Sequence, residues 1–248
     1  MLKLALFVFD RTIEPAWLLA ALSAAERDRY ARFNNRKRGR EYLASRWLLR
    51  QHLAGQLAAP AESLAIDYPT GAPPHCAAGG FYLGISHSGP ACLCVISNTA
   101  HTGCDIEHIR SRRGDPRRIA EHYFHPDEAR ALAGVAPALR RADFHRLWTL
   151  KEAGLKTLGR GLAAGLRRPR FILRPALRCI EPPAPGDWSF AATEIGVEID
   201  SARARFALAV AARTSTLAIE FERLTPADDT GRARRARLNT AWQIAIGA

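Results

Sequence analysis

The stretch WTLKEAGLKTLGRGL, Trp148 to Leu162, concentrates a residue that the rest of the chain avoids. Among 36 lysines and arginines in 248 residues only four are lysine, namely Lys3, Lys37, Lys151 and Lys156, and two of these flank Glu152. The longer run ADFHRLWTLKEAGLKTLG reads as one helix ending near Gly159 or Gly161. On a helix Lys156 stands one turn beyond Glu152 on the same face, whereas Lys151 is turned about 100° away and is placed to pair with Glu128. The plain alternative for Glu152 and Lys156 is an exposed i,i+4 pair worth roughly 0.2–0.5 kcal/mol.

Upstream, GCDIE places Asp105 and Glu107 two apart on a short apolar segment, HTGCDIEHI, that reads as a strand. Alternation then turns both carboxylates to one face and Ile106 to the other. Two anions so close repel unless a cation sits with them; an exposed polar strand face balanced by the following arginines is the plain alternative. With Glu152 the set becomes three hard oxygen donors, which suits Mg²⁺ held together with a substrate phosphate. The ISHSG stretch adds Ser86 and His87 at a predicted turn whose N–H groups face an anion, although a lone histidine also serves structure alone.

The surrounding pattern predicts an α+β chain. MLKLALFVFD reads as a buried first strand and EPAWLLAALSAAERDRYARF as a helix broken at Asn34-Asn35. RKRGREYLASRWLLRQHLAGQL is a second helix, with Arg46 among its charged positions. A turn-rich connector, DYPTGAPPHCAAGG, leads to a hairpin in FYLGISHSGPACLCVIS. The basic loop RSRRGDPRR precedes two short helices, the second opened by Pro126. RFILR, WSFAATEIG, ARFALAVAA and TLAIEFERL read as strands. The order of helix, connector and strands recurs, predicting two similar halves, 1–105 and 106–223, and a tail, 224–248, that begins as a linker and ends as a short amphipathic helix.

The formal charge of +12 calls for an acidic or phosphorylated partner without choosing among them. The five cysteines form no CxxC pair and read as reduced thiols of a cytoplasmic protein. The first apolar run is too short for a signal segment, and no run reaches the roughly eighteen apolar residues of a membrane span.

Taken together, ISHSG, GCDIE and WTLKEAGLK resemble the signature of the 4′-phosphopantetheinyl transferases of the larger monomeric type, over roughly residues 1–223. The resemblance implies two similar α+β halves in a pseudo-twofold arrangement with coenzyme A bound between them. It implies transfer of phosphopantetheine from coenzyme A to a serine of an apo acyl or peptidyl carrier protein, an acidic partner, with release of adenosine 3′,5′-bisphosphate. By motif, Asp105, Glu107 and Glu152 would bind Mg²⁺, with Mn²⁺ as a substitute. Glu152, Lys156 and Asp105 would carry the chemistry, and Arg46, Ser86, His87, Lys151, Lys156, Gly71 and Pro73 would contact coenzyme A. A monomer that binds neither nucleic acid nor membrane is implied.

The chain departs from that signature in three places. Gly71-Ala72-Pro73 stands where the family often has Gly-Lys-Pro, removing a lysine contact to the ligand. Leu83-Gly84-Ile85 replaces the usual Phe-Asn-x before Ser86-His87. Ala153-Gly154 replaces a small-aromatic pair after Glu152; a helical glycine costs about 1 kcal/mol against alanine and here would widen a groove for the carrier. A metal-dependent nuclease using the same carboxylates, and a non-catalytic basic adaptor, are the competing readings.

Overall fold

The apolar run at the amino terminus forms a strand, β1 (Leu2–Val8), of which every residue except Lys3 is buried. The computed structural model describes residues 1–9, 13, 15–69, 72–110, 114–159, 165–227 and 232–247. After β1 come α1 (Pro15–Ala20), α2 (Ala24–Ala31), α3 (Arg36–Leu57), β2 (His75–Cys76), β3 (Phe81–Ser88), β4 (Ala91–Ser97) and β5 (Thr102–His108). The chain continues through α4 (Pro116–Tyr123), α5 (Pro126–Gly134), α6 (Pro137–Thr157), β6 (Arg170–Ile172), β7 (Arg178–Glu181), β8 (Trp188–Ile199) and β9 (Ala202–Ala212). It closes with β10 (Ile219–Pro226), β11 (Ala233–Arg237) and β12 (Gln243–Gly247). The α+β class read from the sequence is thus the class observed, and among the described residues no helix is long and apolar enough to cross a membrane.

One compact unit comprises Met1–Ala100, Glu198–Ala202 and Ile219–Asn239. Its sheet runs β11-β10-β1-β4-β3-β2, so β1 lies between β10, which it meets in parallel, and β4, which it meets antiparallel. A strand with neighbours on both edges and cover on both faces reads as a continuous apolar run rather than an alternating one. Helix α3 packs on this sheet, with the Trp47 ring 4.5 Å from that of Phe7. The first predicted helix is divided because Ser23 and Glu26 form a capping box that starts α2. The predicted break at Asn34-Asn35 is the cap of α3: Asn35 accepts the Arg38 N–H at 3.0 Å. At the other end of α3, His52 is buried between Glu222 Oε1, 2.7 Å from Nδ1, and the Lys3 carbonyl, 3.0 Å from Nε2.

The second unit comprises His101–Val197, Arg203–Ala218 and Thr240–Ala248. Its sheet runs β12-β8-β9-β5, and α6 packs on it over Trp188, Phe190, Ala209 and Ala211. Pro116, Pro126 and Pro137 each open a helix, a place where the missing N–H costs nothing and the fixed φ suits the first turn. Arg140, in the first turn of α6, donates to the carbonyls of Leu132, Ala133 and Val135 and so closes the end of α5. Helix α6 ends at Thr157, with Gly159 at φ 66° just beyond.

Two expectations are corrected. The tail holds no helix among its described residues: β11 pairs with β10 and β12 with β8, each antiparallel. Sheet edges offer a short segment a full row of partners, whereas a helix of so few residues has to meet its nucleation cost alone. The turn is not at Ser86-His87 either. Ser86 and His87 pair with Leu93 and Cys92 inside the β3–β4 ladder, which turns at Gly89-Pro90, where Gly89 takes the left-handed φ of 58° that a two-residue hairpin needs. The Arg112 and Arg113 loop lies outside the described residues.

Candidate functional site

Strand β5 and helix α6 approach each other more closely than side chains ordinarily allow. A Cβ on Gly103 would fall 2.3 Å from the Ala153 carbonyl oxygen and 2.9 Å from the Thr157 nitrogen, so only glycine fits. Alternation along β5 then sends Asp105 and Glu107 to this same face. The glycine of Gly-x-Asp-x-Glu is therefore the spacing element that lets the carboxylates reach α6. The sequence gives it no visible role, because the close approach is a tertiary relation.

At that contact Lys156 Nζ donates to Asp105 Oδ1 at 2.6 Å. Asp105 is buried, and Lys156 keeps about a third of its side chain exposed, with the relative exposures 5% and 32%. Burial alone would push the lysine pKa down, but the Asp105 charge and its hydrogen bond outweigh that, and the ammonium is held above its ordinary range. Glu152 is 7% exposed and its carboxyl is pushed up, first by burial and then by the nearby Asp105, with Lys156 opposing. Asp105, Glu152 and Lys156 are thus electrostatically coupled, one cation serving two carboxylates.

Glu107 is half-buried two residues along the strand. Among the described residues no three His, Cys, Asp or Glu side chains are gathered so that they could hold a metal ion, so the expected set Asp105, Glu107 and Glu152 is not assembled as a cage. Mg²⁺ needs only one or two protein carboxylates, taking its other ligands from water and phosphate. The coupled pair Asp105 and Glu152 fits that demand by donor chemistry.

Lys151 lies elsewhere. Its ammonium is fully buried and held 2.7 Å from Glu128 Oε2, with a further hydrogen bond to the Pro169 carbonyl. Glu128 accepts as well from the N–H of Phe171 at 2.9 Å and of His125 at 3.1 Å. The pairing with Glu128 read from the sequence is formed, and it encloses Lys151 away from the Asp105 face, which corrects the expectation of a coenzyme contact. Gly154 does not open a groove: a Cβ there would meet Phe190 and Pro169 at 3.2 Å each, so the glycine lets α6 seat against β8 and the 169–183 segment. Its helix cost is offset by that packing.

In the other unit, Arg46 of α3 lies over two aromatic rings, 4.3 Å from the centroid of Tyr68 and 5.2 Å from that of Tyr42. Its Nε and Nη1 are buried without a hydrogen-bond partner among the described residues. The nearby carboxylate, Glu26, is taken by Arg50, by Tyr68 Oη at 2.8 Å and by its own cap at Ser23. Planar, cationic N–H groups left in this way suit an anionic oxygen. Tyr68, which the sequence reading did not single out, helps build this site. Ser86 is buried and His87 exposed, on a stretch of β3 that β2, paired only at Phe81 and Tyr82, does not cover. Pro73 is half-buried in the connector before β2, and Gly71 lies outside the described residues.

Comparison with known proteins covers the segment that carries Asp105 and Lys156. Residues 101–211, which carry Asp105, Glu107, Glu152 and Lys156, match the family model described as the 4′-phosphopantetheinyl transferase superfamily. The 4′-phosphopantetheinyl transferase HetI of Nostoc sp. is 33% identical over 150 residues, which are 59% of this chain and 63% of the relative. The 4′-phosphopantetheinyl transferase gsp of Aneurinibacillus migulanus is 30% identical over 59% of this chain and 60% of its own length. A 4′-phosphopantetheinyl transferase of Bacillus subtilis is 27% identical over 60% of this chain and 65% of its own. The chain therefore spans less than two thirds of the length of these relatives. The carboxylate and lysine spacing of β5 and α6 lies inside the matched segment, and over residues 101–211 the chain is similar to the 4′-phosphopantetheinyl transferase superfamily.

Proposed function

We propose that the chain transfers the 4′-phosphopantetheine group of coenzyme A to a serine hydroxyl of an apo acyl or peptidyl carrier protein, releasing adenosine 3′,5′-bisphosphate. The observation that carries this reading is the coupling of Asp105, Lys156 and Glu152 across β5 and α6, within the matched segment. Phosphoryl transfer asks a protein mainly for positioning and for neutralisation of charge.

Asp105 and Glu152, with Glu107 nearby through water, would hold Mg²⁺ or Mn²⁺, which when bound supplies charge neutralisation to the pyrophosphate. Lys156 contributes a compact, partly exposed ammonium that stays protonated at neutral pH beside the leaving oxygens. Glu152 accepts the proton of the attacking serine directly or through water, the role of a positioned carboxylate. Arg46 would take the 3′-phosphate with its unpartnered N–H groups, and Ser86, His87, Pro73 and Gly71 would border the rest of coenzyme A. The chain's positive excess suits an acidic carrier.

The test is incubation with coenzyme A, Mg²⁺ and purified apo acyl, aryl and peptidyl carriers, followed by intact-mass analysis. A gain of one phosphopantetheinyl group on any carrier is the expected result. No gain on all three classes rejects the reading, and cleavage of added DNA or RNA in the same buffer would favour a nuclease instead.

A further inference from the structure

Arg46 and Arg50 stand one helical turn apart on α3, yet the ion pair of Glu26 is with Arg50. Glu26 Oε2 accepts from Arg50 Nε and from the N–H and hydroxyl of Ser23, at 3.1 and 3.2 Å. Glu26 Oε1 accepts from the Tyr68 hydroxyl at 2.8 Å. Arg50 is held in place by the carbonyls of Ala61 at 2.6 Å and Leu64 at 3.0 Å. The carboxylate is therefore fully engaged, and Tyr68 supplies the partner of one of its two oxygens.

Tyr68 touches both charges. Its ring centroid lies 4.3 Å from the Arg46 guanidinium carbon while its hydroxyl binds Glu26. Burial, opposed by Arg46 and reinforced by Glu26, holds the phenol above its ordinary range, so near neutral pH the oxygen keeps its proton and donates. Glu26 is only 5% exposed, so without that O–H its Oε1 would be a buried acceptor lacking a partner. The ring that separates it from Arg46 covers a guanidinium whose Nε and Nη1 are themselves unpartnered among the described residues. Carboxylate and guanidinium left so would pair. A ring face attracts the cation without taking the N–H groups in its plane, so it positions Arg46 and leaves its charge unspent.

We propose that Tyr68 is a positioning residue: it holds Arg46 on its ring and Glu26 on its hydroxyl, and by keeping the two apart it sets a preference for coenzyme A over 3′-dephospho-coenzyme A. The inference rests on the proposed contact between Arg46 and the 3′-phosphate. A tyrosine that served only to satisfy Glu26 would alter stability and leave that preference unchanged.

The experiment is isothermal titration of the full chain with coenzyme A and with 3′-dephospho-coenzyme A. The parent protein should bind coenzyme A more tightly. Tyr68→Phe keeps the ring and loses the O–H; it should weaken coenzyme A about tenfold, the effect of one charge-assisted hydrogen bond, and leave the dephospho form unchanged. Adding Glu26→Gln to Tyr68→Phe removes the released charge and should restore part of the preference. Tyr68 is 39% exposed, so its replacement by phenylalanine opens no core cavity, and circular dichroism melting checks the fold of both variants. A parent that prefers coenzyme A together with a Tyr68→Phe variant that keeps the preference, or that loses both ligands equally, overturns the role of Tyr68 and leaves the transferase reading standing. A parent with no preference overturns the 3′-phosphate contact and this inference with it, whereas the transferase reading falls only if no carrier gains mass.

Discussion

Gly103 of β5 and Ala153 of α6 are so close that a single added methyl at Gly103 would stand 2.3 Å from the Ala153 carbonyl oxygen. The atom in the way is backbone, which cannot rotate aside, so α6 must retreat. Gly103→Ala is expected to cost about 1–3 kcal/mol in denaturant unfolding, the usual range for overpacking. Because retreat of α6 also parts Lys156 from Asp105, transferase turnover should fall further than stability alone explains. Native stability together with native turnover would remove the close approach from the account.

Lys156 is the partly exposed cation paired with Asp105, and its substitutions separate charge from shape. Lys156→Ala should lower turnover about 10²-fold while changing coenzyme A affinity little, since a charge that acts on the leaving oxygens is felt mainly in the transition state. Lys156→Arg keeps the charge but replaces a point donor by a planar fork, and recovery should be partial. Steady-state kinetics with coenzyme A varied gives the split; a change confined to KM would make Lys156 a binding residue.

Glu152→Gln keeps shape and removes the carboxylate proposed as base and as metal ligand. Turnover is expected to fall about 10²- to 10⁴-fold, the range for loss of a positioned base. Near-normal turnover in the variant at saturating Mg²⁺ would exclude the base role.

The Glu128–Lys151 pair is buried on both sides, with side-chain exposures of 1% and 0%. Burial pushes the Glu128 carboxyl up and the Lys151 ammonium down, each against the pull of its partner. Lys151→Met strands a buried carboxylate that also holds α5 and β6, and a loss of about 3–5 kcal/mol is expected by chemical denaturation. Combining it with Glu128→Leu should restore part of that loss, since an apolar pair removes both desolvated charges. A double variant less stable than Lys151→Met alone would mean that the Glu128 contacts to Phe171 and His125 dominate.

Glu222 links pH to the stability of the first unit. Burial pushes its carboxyl up, but hydrogen bonds and charge from His52 and Arg235 outweigh it and leave the pKa below the ordinary glutamate value. A depressed folded value means that its stabilisation is complete above the ordinary glutamate pKa and is lost as pH falls through the lower, folded one. Glu222→Gln should therefore lower Tm at neutral pH and close the gap to the parent protein on acidification. A gap independent of pH between neutral and strongly acidic buffer would count against this coupling.

Much of the fold was legible because its signals are local. The buried β1, the break at Asn34-Asn35, the helix opened by Pro126 and the end of α6 near Gly159 follow from apolar runs and turn or capping chemistry along a few residues. The tail was misread because β11 and β12 become strands only by docking on β10 and β8, partners far away in sequence. The turn was misplaced at Ser86-His87 because hairpin register depends on how far pairing with β4 continues, and it continues to Ser88.

For the site, residue types and spacing singled out Asp105, Glu107, Glu152 and Lys156, three carboxylates and a rare lysine, and the family resemblance assigned their roles. Sequence also determined that Lys151 and Glu152 face different ways, a consequence of helical geometry. What only the tertiary structure decided is distance. Gly103 sets how near α6 comes to β5, the pocket formed by α5 and β6 decides that Lys151 is spent on Glu128, and two tyrosines decide that Arg46 keeps donors to spare. Each of these rests on packing between segments remote along the chain, where a methyl group more or less moves an ion pair in or out of reach, and no local pattern encodes that.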